Sequence, residues 1–209
     1  MSEGTQHYFS ESPAGEMRTR EIEAVLAGAP RALVTAGGVF SPEGLDRGTE
    51  VLLRKLPDPG AFDDLAPAGP ILDIGCGWGP IALSAALSHP DREVWAVDVN
   101  ERSRALSAEN ARRLGLGNVR VAAPDEVPER LGFAEIRSNP PIRVGKEVLR
   151  GILRRWLPRL LPEGTAYLVV AKHLGADSLQ RWIAAEFPEL SVDRAARDRG
   201  FHVIRAVRD

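Results

Sequence analysis

The chain contains one cysteine, so no disulfide can close within it. That residue, Cys76, sits inside a glycine run and reads as a small side chain filling a turn. The four histidines, His7, His89, His173 and His202, are scattered, and no metal-ligand spacing is visible. Lysine occurs only three times (Lys55, Lys146, Lys172), so arginine supplies nearly all the positive charge. The net charge of −2 does not mark a general nucleic-acid binder. No run is long and apolar enough to span a bilayer, and no signal-peptide pattern is present, so the expectation is a soluble cytoplasmic protein with no membrane partner. The 209 residues suffice for one α/β domain with a full core, whereas two independent domains would each be too small.

What is present centres on Ile71-Leu72-Asp73-Ile74-Gly75-Cys76-Gly77-Trp78-Gly79, followed by Ile81-Ala82-Leu83-Ser84-Ala85-Ala86-Leu87. An apolar strand runs into a glycine loop and then into a helix. Glycine at every second position allows a sharp turn and a close approach of ligand to backbone, and the helix points its partly positive N-terminus at the same place. A dinucleotide loop has the spacing G-x-G-x-x-G, with room for a pyrophosphate. Here the spacing is D-x-G-x-G-x-G, which suits a ligand without phosphates that carries an ammonium and a carboxylate. Asp73 can accept from the ammonium side, and the loop amides can meet the carboxylate. The pattern resembles the first motif of class I S-adenosylmethionine (SAM) methyltransferases. A tight turn needing glycine only for its shape is the plainer alternative.

From Pro70 onward strands and helices alternate. The predicted strands are 70–74, 93–98, 118–122, 133–138, 165–171, 190–195 and 201–207, and the predicted helices lie near 80–88, 101–114, 145–161 and 176–187. Alternation of this kind specifies an α/β fold, a Rossmann-like, seven-stranded, mostly parallel sheet with helices on both faces. Arg197-Asp198-Arg199-Gly200 is a turn, so the last two strands form a C-terminal antiparallel hairpin. Upstream, residues 1–15 read as irregular. An amphipathic helix is predicted from about Met17 to Ala27, with Ile22, Val25 and Leu26 on one face, ended by Gly28 and Pro30. A short strand at 31–35, a loop at Gly37-Gly38-Val39-Phe40-Ser41-Pro42, a helix from about Gly44 to Leu56 and a Pro/Asp/Gly-rich connector over 57–69 complete the chain. The division expected is an N-terminal extension, 1–60, that packs on and partly covers the ligand site, and a core, 61–209, within one structural domain.

In an open α/β sheet the ligand lies at the C-terminal ends of the strands. Asp98 follows the apolar strand Trp95-Ala96-Val97, where an acid can accept from two ribose hydroxyls. It could instead cap the next helix, a role that Asn100 can fill. Asp125, after Ala123-Pro124, stands at the corner that flanks the adenine in methyltransferases, and the resemblance implies an acceptor for its exocyclic amine there, although Asp after Pro is also ordinary turn chemistry. Strand 133–138 ends in Ser138-Asn139-Pro140-Pro141-Ile142. Pro140 drives Asn139 into an extended conformation, and Pro141 fixes its own φ. The result is a rigid corner presenting an amide oxygen beside a backbone carbonyl, two acceptors that do not titrate. A planar exocyclic amine can donate both hydrogens to them and aim its lone pair at a sulfonium methyl. Transfer would then be in-line displacement driven by positioning and electrostatics, needing neither a metal nor a covalent intermediate.

With these motifs the chain resembles the RsmC type of ribosomal RNA guanine-N2 methyltransferases, the small-domain methyltransferase family. The matching residues run from Gly38-Val39-Phe40-Ser41 through Gly44-Leu45-Asp46-Arg47-Gly48-Thr49, then Asp73 to Gly79, Asp98-Val99-Asn100 and Asn139-Pro140-Pro141-Ile142-Arg143. His7-Tyr8-Phe9 resembles single-domain members. The resemblance implies SAM as cofactor, held by Phe40, Thr49, Asp73, Gly75, Cys76, Gly77, Asp98, Val99, Asp125 and Asn139. Phe40 and Thr49 belong to a segment closing over its methionine end. It implies Asn139, Pro140, Pro141 and Ile142 as the catalytic corner, and ribosomal RNA or the small ribosomal subunit as partner. Two features depart from the family. Larger members carry an additional N-terminal domain for which this chain has no room, and Ile142 stands where many amino methyltransferases carry an aromatic residue that stacks on the base.

Beyond that corner, residues 143–159 hold six cationic side chains against one acid, Glu147. Lys146, Arg150 and Arg154 form one helical stripe and, with Arg143, are candidates for RNA phosphate contacts. A solvated face paired with acids from elsewhere is the alternative. Three other functions remain: methylation of a protein glutamine amide or a small-molecule amine, a non-catalytic RNA-binding assembly factor with the same fold, and a nicotinamide-dependent reductase, which the glycine spacing disfavours.

Overall fold

The computed structural model describes residues 17–57 and 67–209. The readings made above for 1–15, including His7-Tyr8-Phe9, and for most of the 57–69 connector lie outside the described residues. A seven-stranded sheet carries β3 (Ile71–Ile74), β4 (Val94–Val97), β5 (Val119–Ala122), β6 (Phe133–Ser138), β7 (Leu160–Ala171), β8 (Leu190–Asp198) and β9 (Phe201–Arg208). Its order is β5-β4-β3-β6-β7-β9-β8. β4 pairs parallel with β5, and β6 with β7, while β9 runs antiparallel to both β7 and β8. The mostly parallel sheet with its C-terminal hairpin is the architecture that the alternation of elements predicts. Among the described residues no helix is long and apolar enough to cross a membrane.

The chain divides into two compact units. One joins the stretch up to Asp46 with Asp73–Pro128. It opens with a two-stranded antiparallel hairpin, β1 (Thr19–Leu26) and β2 (Ala29–Ala36), paired from Thr19↔Ala36 to Leu26↔Ala29. The helix expected over Met17 to Ala27 is therefore a strand. Its burial alternates: Ala24 and Leu26 are buried while Val25 is 60% exposed. Ile22, Val25 and Leu26 could be drawn on one helical face, but period two, Ile22-Ala24-Leu26, is the pattern that finds a core. Ala27 (φ 48) and Gly28 (φ 77) are both left-handed, the conformation of a two-residue hairpin turn, so Gly28 turns the chain rather than ending a helix. In the same unit α2 (Pro80–Ser88) is apolar on every side and buried from Pro80 through Ala86, whereas α3 (Glu101–Arg113) buries one stripe.

The second unit holds Arg47–Leu72 and Glu129–Asp209. α1 (Arg47–Lys55) is shorter than the predicted 44–56 and turns Gly48, Thr49, Val51 and Leu52 inward. α4 (Lys146–Trp156) buries Leu149, Leu153 and Trp156, and the Trp156 ring meets Phe133 of β6 edge-on with centroids 6.2 Å apart. The helix expected to reach 161 stops at Trp156 and gives way to a single 3₁₀ turn, Leu157–Arg159. Pro158 has no N–H to continue the ladder. β7 begins at Leu160, five residues before the predicted start, and bulges opposite Phe133 and Glu135 of β6. Pro162-Glu163-Gly164 forms this bulge, with Glu163 at φ 64. A Cβ at Gly164 would lie 2.7 Å from the Leu161 carbonyl oxygen, so only glycine fits there. α5 (Ala176–Glu186) precedes the β8–β9 hairpin, whose turn residues Arg199 (φ 46) and Gly200 (φ 82) are again left-handed.

Candidate functional site

In the first unit β3 delivers Asp73 and the glycine loop. Gly75, Gly77 and Gly79 take φ values of 74, 58 and 102, so all three positions require left-handed backbone. A Cβ added at Gly75 or Gly77 would find no atom of the described residues within 4 Å, so the loop borders open space there. At Gly79 the same atom would lie 2.8 Å from Ser107 Oγ, so this glycine also lets α3 approach closely. The loop amides are engaged within the fold. Gly75 and Cys76 N–H donate to the Val97 carbonyl (2.8 and 3.1 Å), Gly77 N–H to Asp98 Oδ2 (2.9 Å) and Gly79 N–H to the Cys76 carbonyl (2.9 Å). Loop N–H groups were expected to meet a ligand carboxylate; in this structure these four brace the turn against the end of β4.

Asp73 is buried, and its Oδ2 accepts the Ala82 N–H at 3.0 Å. α2 starts at Gly79, which has no side chain to cap it, and Asp73 supplies the missing acceptor from the neighbouring strand. The Cys76 side chain is also buried, and burial, followed by the charges of Asp98 and Asp73, pushes its thiol well above the usual range. Ser107 Oγ donates to the Gly77 carbonyl at 3.1 Å and lies 3.5 Å from Cys76 Sγ.

Asp98 stands at the tip of β4. Its Oδ2 takes Gly77 N–H and its Oδ1 takes Asn100 N–H, each at 2.9 Å. Each carboxylate oxygen has further lone-pair capacity, so the pair can still accept from vicinal hydroxyls. The helix cap belongs to Asn100, whose Oδ1 accepts Arg102 and Ser103 N–H (2.9 and 3.2 Å). Burial pushes the Asp98 carboxyl above its ordinary value, against the opposing donors at Asn100 and Gly77. Val99 beside it leaves 42% of an apolar surface exposed. Asp125 is exposed in a 3₁₀ turn, Pro124–Glu126, closed by Glu126 Oε2 accepting Ala123 N–H at 2.6 Å.

Four side chains of this unit donate to carbonyls of the loop 37–42, among them Arg20 of β1, whose Nε lies 3.0 Å from the Pro42 carbonyl oxygen. Asn100 Nδ2 reaches the Gly38 carbonyl (3.1 Å), Arg102 Nη1 the Gly37 carbonyl (2.7 Å) and Trp78 Nε1 the Ser41 carbonyl (3.2 Å). Phe40 projects from this loop, 49% exposed. Beneath it the buried Asn110 donates to the Val34 and Trp78 carbonyls (both 2.9 Å) and accepts Val34 N–H (2.7 Å). The sequence reading missed Trp78, Arg102 and Asn110. Asn100, Ser103, Ser107 and Asn110 recur every three or four residues and are all buried, and that polar stripe on one helical face was the available signal.

In the second unit β6 ends at Ser138, and Asn139, Pro140 and Pro141 make the corner. Ile142 N–H donates to the Pro140 carbonyl at 2.8 Å and Val144 N–H to that of Pro141 at 3.2 Å, so the corner folds back on itself. The Pro140 carbonyl retains its second lone pair. Asn139 Nδ2 donates to Thr49 Oγ1 at 3.1 Å. Thr49 was expected beside Phe40 in a cover for the cofactor; here it is an inward residue of α1 bonded to the corner amide.

Past the corner, Arg143 and Lys146 are exposed. Arg150 pairs with Glu147 (2.8 Å) and Arg154 with Glu186 of α5 (2.6 Å). Both guanidiniums lie over the Trp182 ring, 5.2 and 5.5 Å from its centroid. These two arginines match the bland alternative of a charged face paired with acids. No group of three or more His, Cys, Asp or Glu among the described residues is arranged to hold a metal ion.

The family described as "Methyltransferase small domain" matches residues 31–205. A Bacillus subtilis protein, "Uncharacterized protein YbxB", is 34% identical over 97% of this chain and 98% of its own length. "Ribosomal RNA small subunit methyltransferase C" of Pseudomonas fluorescens is 30% identical over 90% of this chain, which spans only 54% of that relative. The fold is shared with "T. Thermophilus 16S rRNA N2 G1207 methyltransferase (RsmC) in complex with AdoMet and Guanosine", at a TM-score of 0.74 and 22% identity over 94% of this chain and 52% of that one.

Proposed function

This chain belongs to the methyltransferase small domain family, and from that premise we propose that it is a SAM-dependent methyltransferase acting on an exocyclic amino nitrogen, guanine N2 of ribosomal RNA. The observation that carries the reading is the Asn139 amide, set in a diproline corner with its nitrogen end engaged by Thr49.

The residues present fit the cofactor. Asp98 has acceptor capacity for two ribose hydroxyls, Asn100 relieves it of capping duty, and the glycine loop leaves open space where side chains would otherwise stand. Val99 and Phe40 offer apolar surface, and Asp125 an acceptor for an adenine amine. Asp73 and Cys76 act from beneath, by shaping the loop and the start of α2. The β1–β2 hairpin and the 37–42 loop, tied down by Trp78, Asn100, Arg102 and Asn110, form the N-terminal cover over this region. SAM, when bound, supplies a methyl group already activated as a sulfonium.

At the corner, Asn139 Oδ1 and the Pro140 carbonyl accept the two hydrogens of a planar amine. They draw its lone pair out of conjugation and hold it for attack. Neither acceptor is a strong base, so the corner orients the nitrogen without deprotonating it first, and the proton leaves to solvent once the nitrogen is alkylated. Ile142 packs on the base face with less stacking energy than an aromatic ring supplies. The small ribosomal subunit is the partner, a reading supported by the name of the Pseudomonas relative, and the cytoplasm is the setting where that partner is found.

The test is methyl transfer from radiolabelled SAM to small ribosomal subunits of a strain lacking this gene, followed by identification of the modified nucleoside. N2-methylguanosine, absent with Asn139→Ala, is expected. Label recovered on a protein glutamine or a small amine would move the acceptor to that class. Absence of both SAM binding and transfer would leave an RNA-binding assembly factor.

A further inference from the structure

We propose that the turn Lys172-His173-Leu174 is a second RNA contact, one that holds an unpaired nucleotide beside the methyl acceptor. The inference rests on the function proposed above and adds to Arg143 and Lys146 an element on the adjoining strand end. The acceptor itself sets the requirement. The Asn-Pro-Pro corner needs both hydrogens of an exocyclic amine, and an enzyme cannot reach that amine while its base is stacked and paired in a duplex. The target base must therefore leave its stack, which uncovers a face of the nucleotide next to it. An uncovered base is best met by an aromatic or apolar surface, and its phosphate by a cation.

The turn supplies both at the end of the strand next to the corner. β6 and β7 run parallel with Ser138 level with Leu168, and β7 continues to Ala171. At the rise of a strand this carries the turn about 10 Å past the level of Ser138. There the chain makes a single 3₁₀ turn, Lys172–Leu174. Its backbone is fixed from two sides. Lys172 N–H donates to the Gly200 carbonyl (2.8 Å), and Gly175, left-handed at φ 97, donates its N–H to the Lys172 carbonyl (3.1 Å). The side chains are left outside: Lys172 and His173 are exposed, and Leu174 is 37% exposed. Among the described residues neither the ammonium nor the imidazole has a hydrogen-bond or ion-pair partner. Lys172 differs in this from Arg150 and Arg154, whose charges are answered by Glu147 and Glu186. It can meet a phosphate without first breaking an ion pair. His173 offers an aromatic face and Leu174 an aliphatic one, in consecutive positions on a backbone already in place. A cation, a ring and an apolar side chain together suit a splayed single strand. A duplex, with its bases stacked, would leave the ring and the leucine unused.

Three probes test this by filter binding to the full chain across a salt series: a guanine-containing single-stranded oligoribonucleotide, the same strand annealed into a duplex, and intact small ribosomal subunits. The wild type should prefer the single strand to the duplex. On the single strand, Lys172→Ala should reduce the slope of log affinity against log salt by about 0.7, the release expected for one lost phosphate contact. His173→Ala should weaken single-strand binding about tenfold, the scale of one lost stacking contact, and His173→Phe should restore it. Duplex binding should not respond to either His173 substitution. SAM affinity by calorimetry should match the wild type in all three variants, which shows that each is folded. Single-strand affinity and salt slope that stay unchanged in both alanine variants would overturn the inference. Equal losses on strand and duplex in His173→Ala, or a wild type that binds neither RNA, would do the same. Losses confined to the intact subunit would place a ribosomal protein at the turn and overturn it too. If the oligonucleotide results come out as expected but no methyl group reaches RNA, the proposed function fails instead, and the turn remains an RNA contact.

Discussion

Asp98 combines two demands that pull its protonation in opposite directions. Burial favours the neutral acid, while two backbone N–H donors favour the carboxylate, and burial dominates. The folded-state value lies above the unfolded one, so the native state holds the proton more tightly. This group's contribution to stability is therefore largest below the unfolded value and declines as pH rises. For ligand binding the sign is the reverse, because a protonated carboxyl loses an acceptor. Acidification should weaken SAM binding, starting at a higher pH than an exposed aspartate would require. Asp98→Ala should cost about 2 kcal/mol of SAM binding and flatten that profile, the scale of a hydrogen bond to a charged group. Calorimetric titration from neutral pH downward checks both, and a wild-type affinity that does not change on acidification would remove Asp98 from the ligand site.

At the scale of elements, α3 does more than fill a layer. Its N-terminal cap, Asn100, and its last buried polar residue, Asn110, bind the loop and the hairpin that precede the sheet. Asn110 satisfies both backbone groups of Val34 and the carbonyl of Trp78, all in the interior. Asn110→Leu would leave three buried polar groups with lost partners. Such groups cost about 1–3 kcal/mol each before relaxation, so a net loss of roughly 3 kcal/mol is expected in urea denaturation. A variant as stable as the wild type would show that the hairpin is held by other contacts. The local pattern of β1 was readable in two ways. Its apolar residues fit a helical face over Ile22, Val25 and Leu26 and a strand face over Ile22, Ala24 and Leu26. Only docking against the core chose the second.

Across the whole molecule, charge is arranged so that two of the four candidate RNA contacts are already answered. Arg150 and Arg154 are held by Glu147, Glu186 and the Trp182 ring, whereas Arg143 and Lys146 stand exposed just past the Asn-Pro-Pro corner. Phosphate binding releases counterions for each cation that is engaged. Reversing Arg143 and Lys146 to Glu should weaken RNA binding and reduce its salt dependence, while Arg154→Glu should have the smaller effect. Filter binding across a salt series tests this, and equal effects from the two variants would mean that the Arg154–Glu186 ion pair opens on binding.

Two things were written locally in the chain and so could be read without coordinates. The order of strands and helices from residue 70 onward rests on hydrophobic periodicity, and β6, α2 and the glycine and Asn-Pro-Pro corners fall where short-range backbone preference puts them. Folding alone decided which distant groups meet. Thr49 and Asn139 are 90 positions apart, and Val34 and Asn110 are 76 apart. Periodicity records which face of an element is buried but not which partner it is buried against. The choice between strand and helix at β1, the pairing of Arg154 with Glu186 and the contact of Asn139 with Thr49 therefore emerge only once the elements pack.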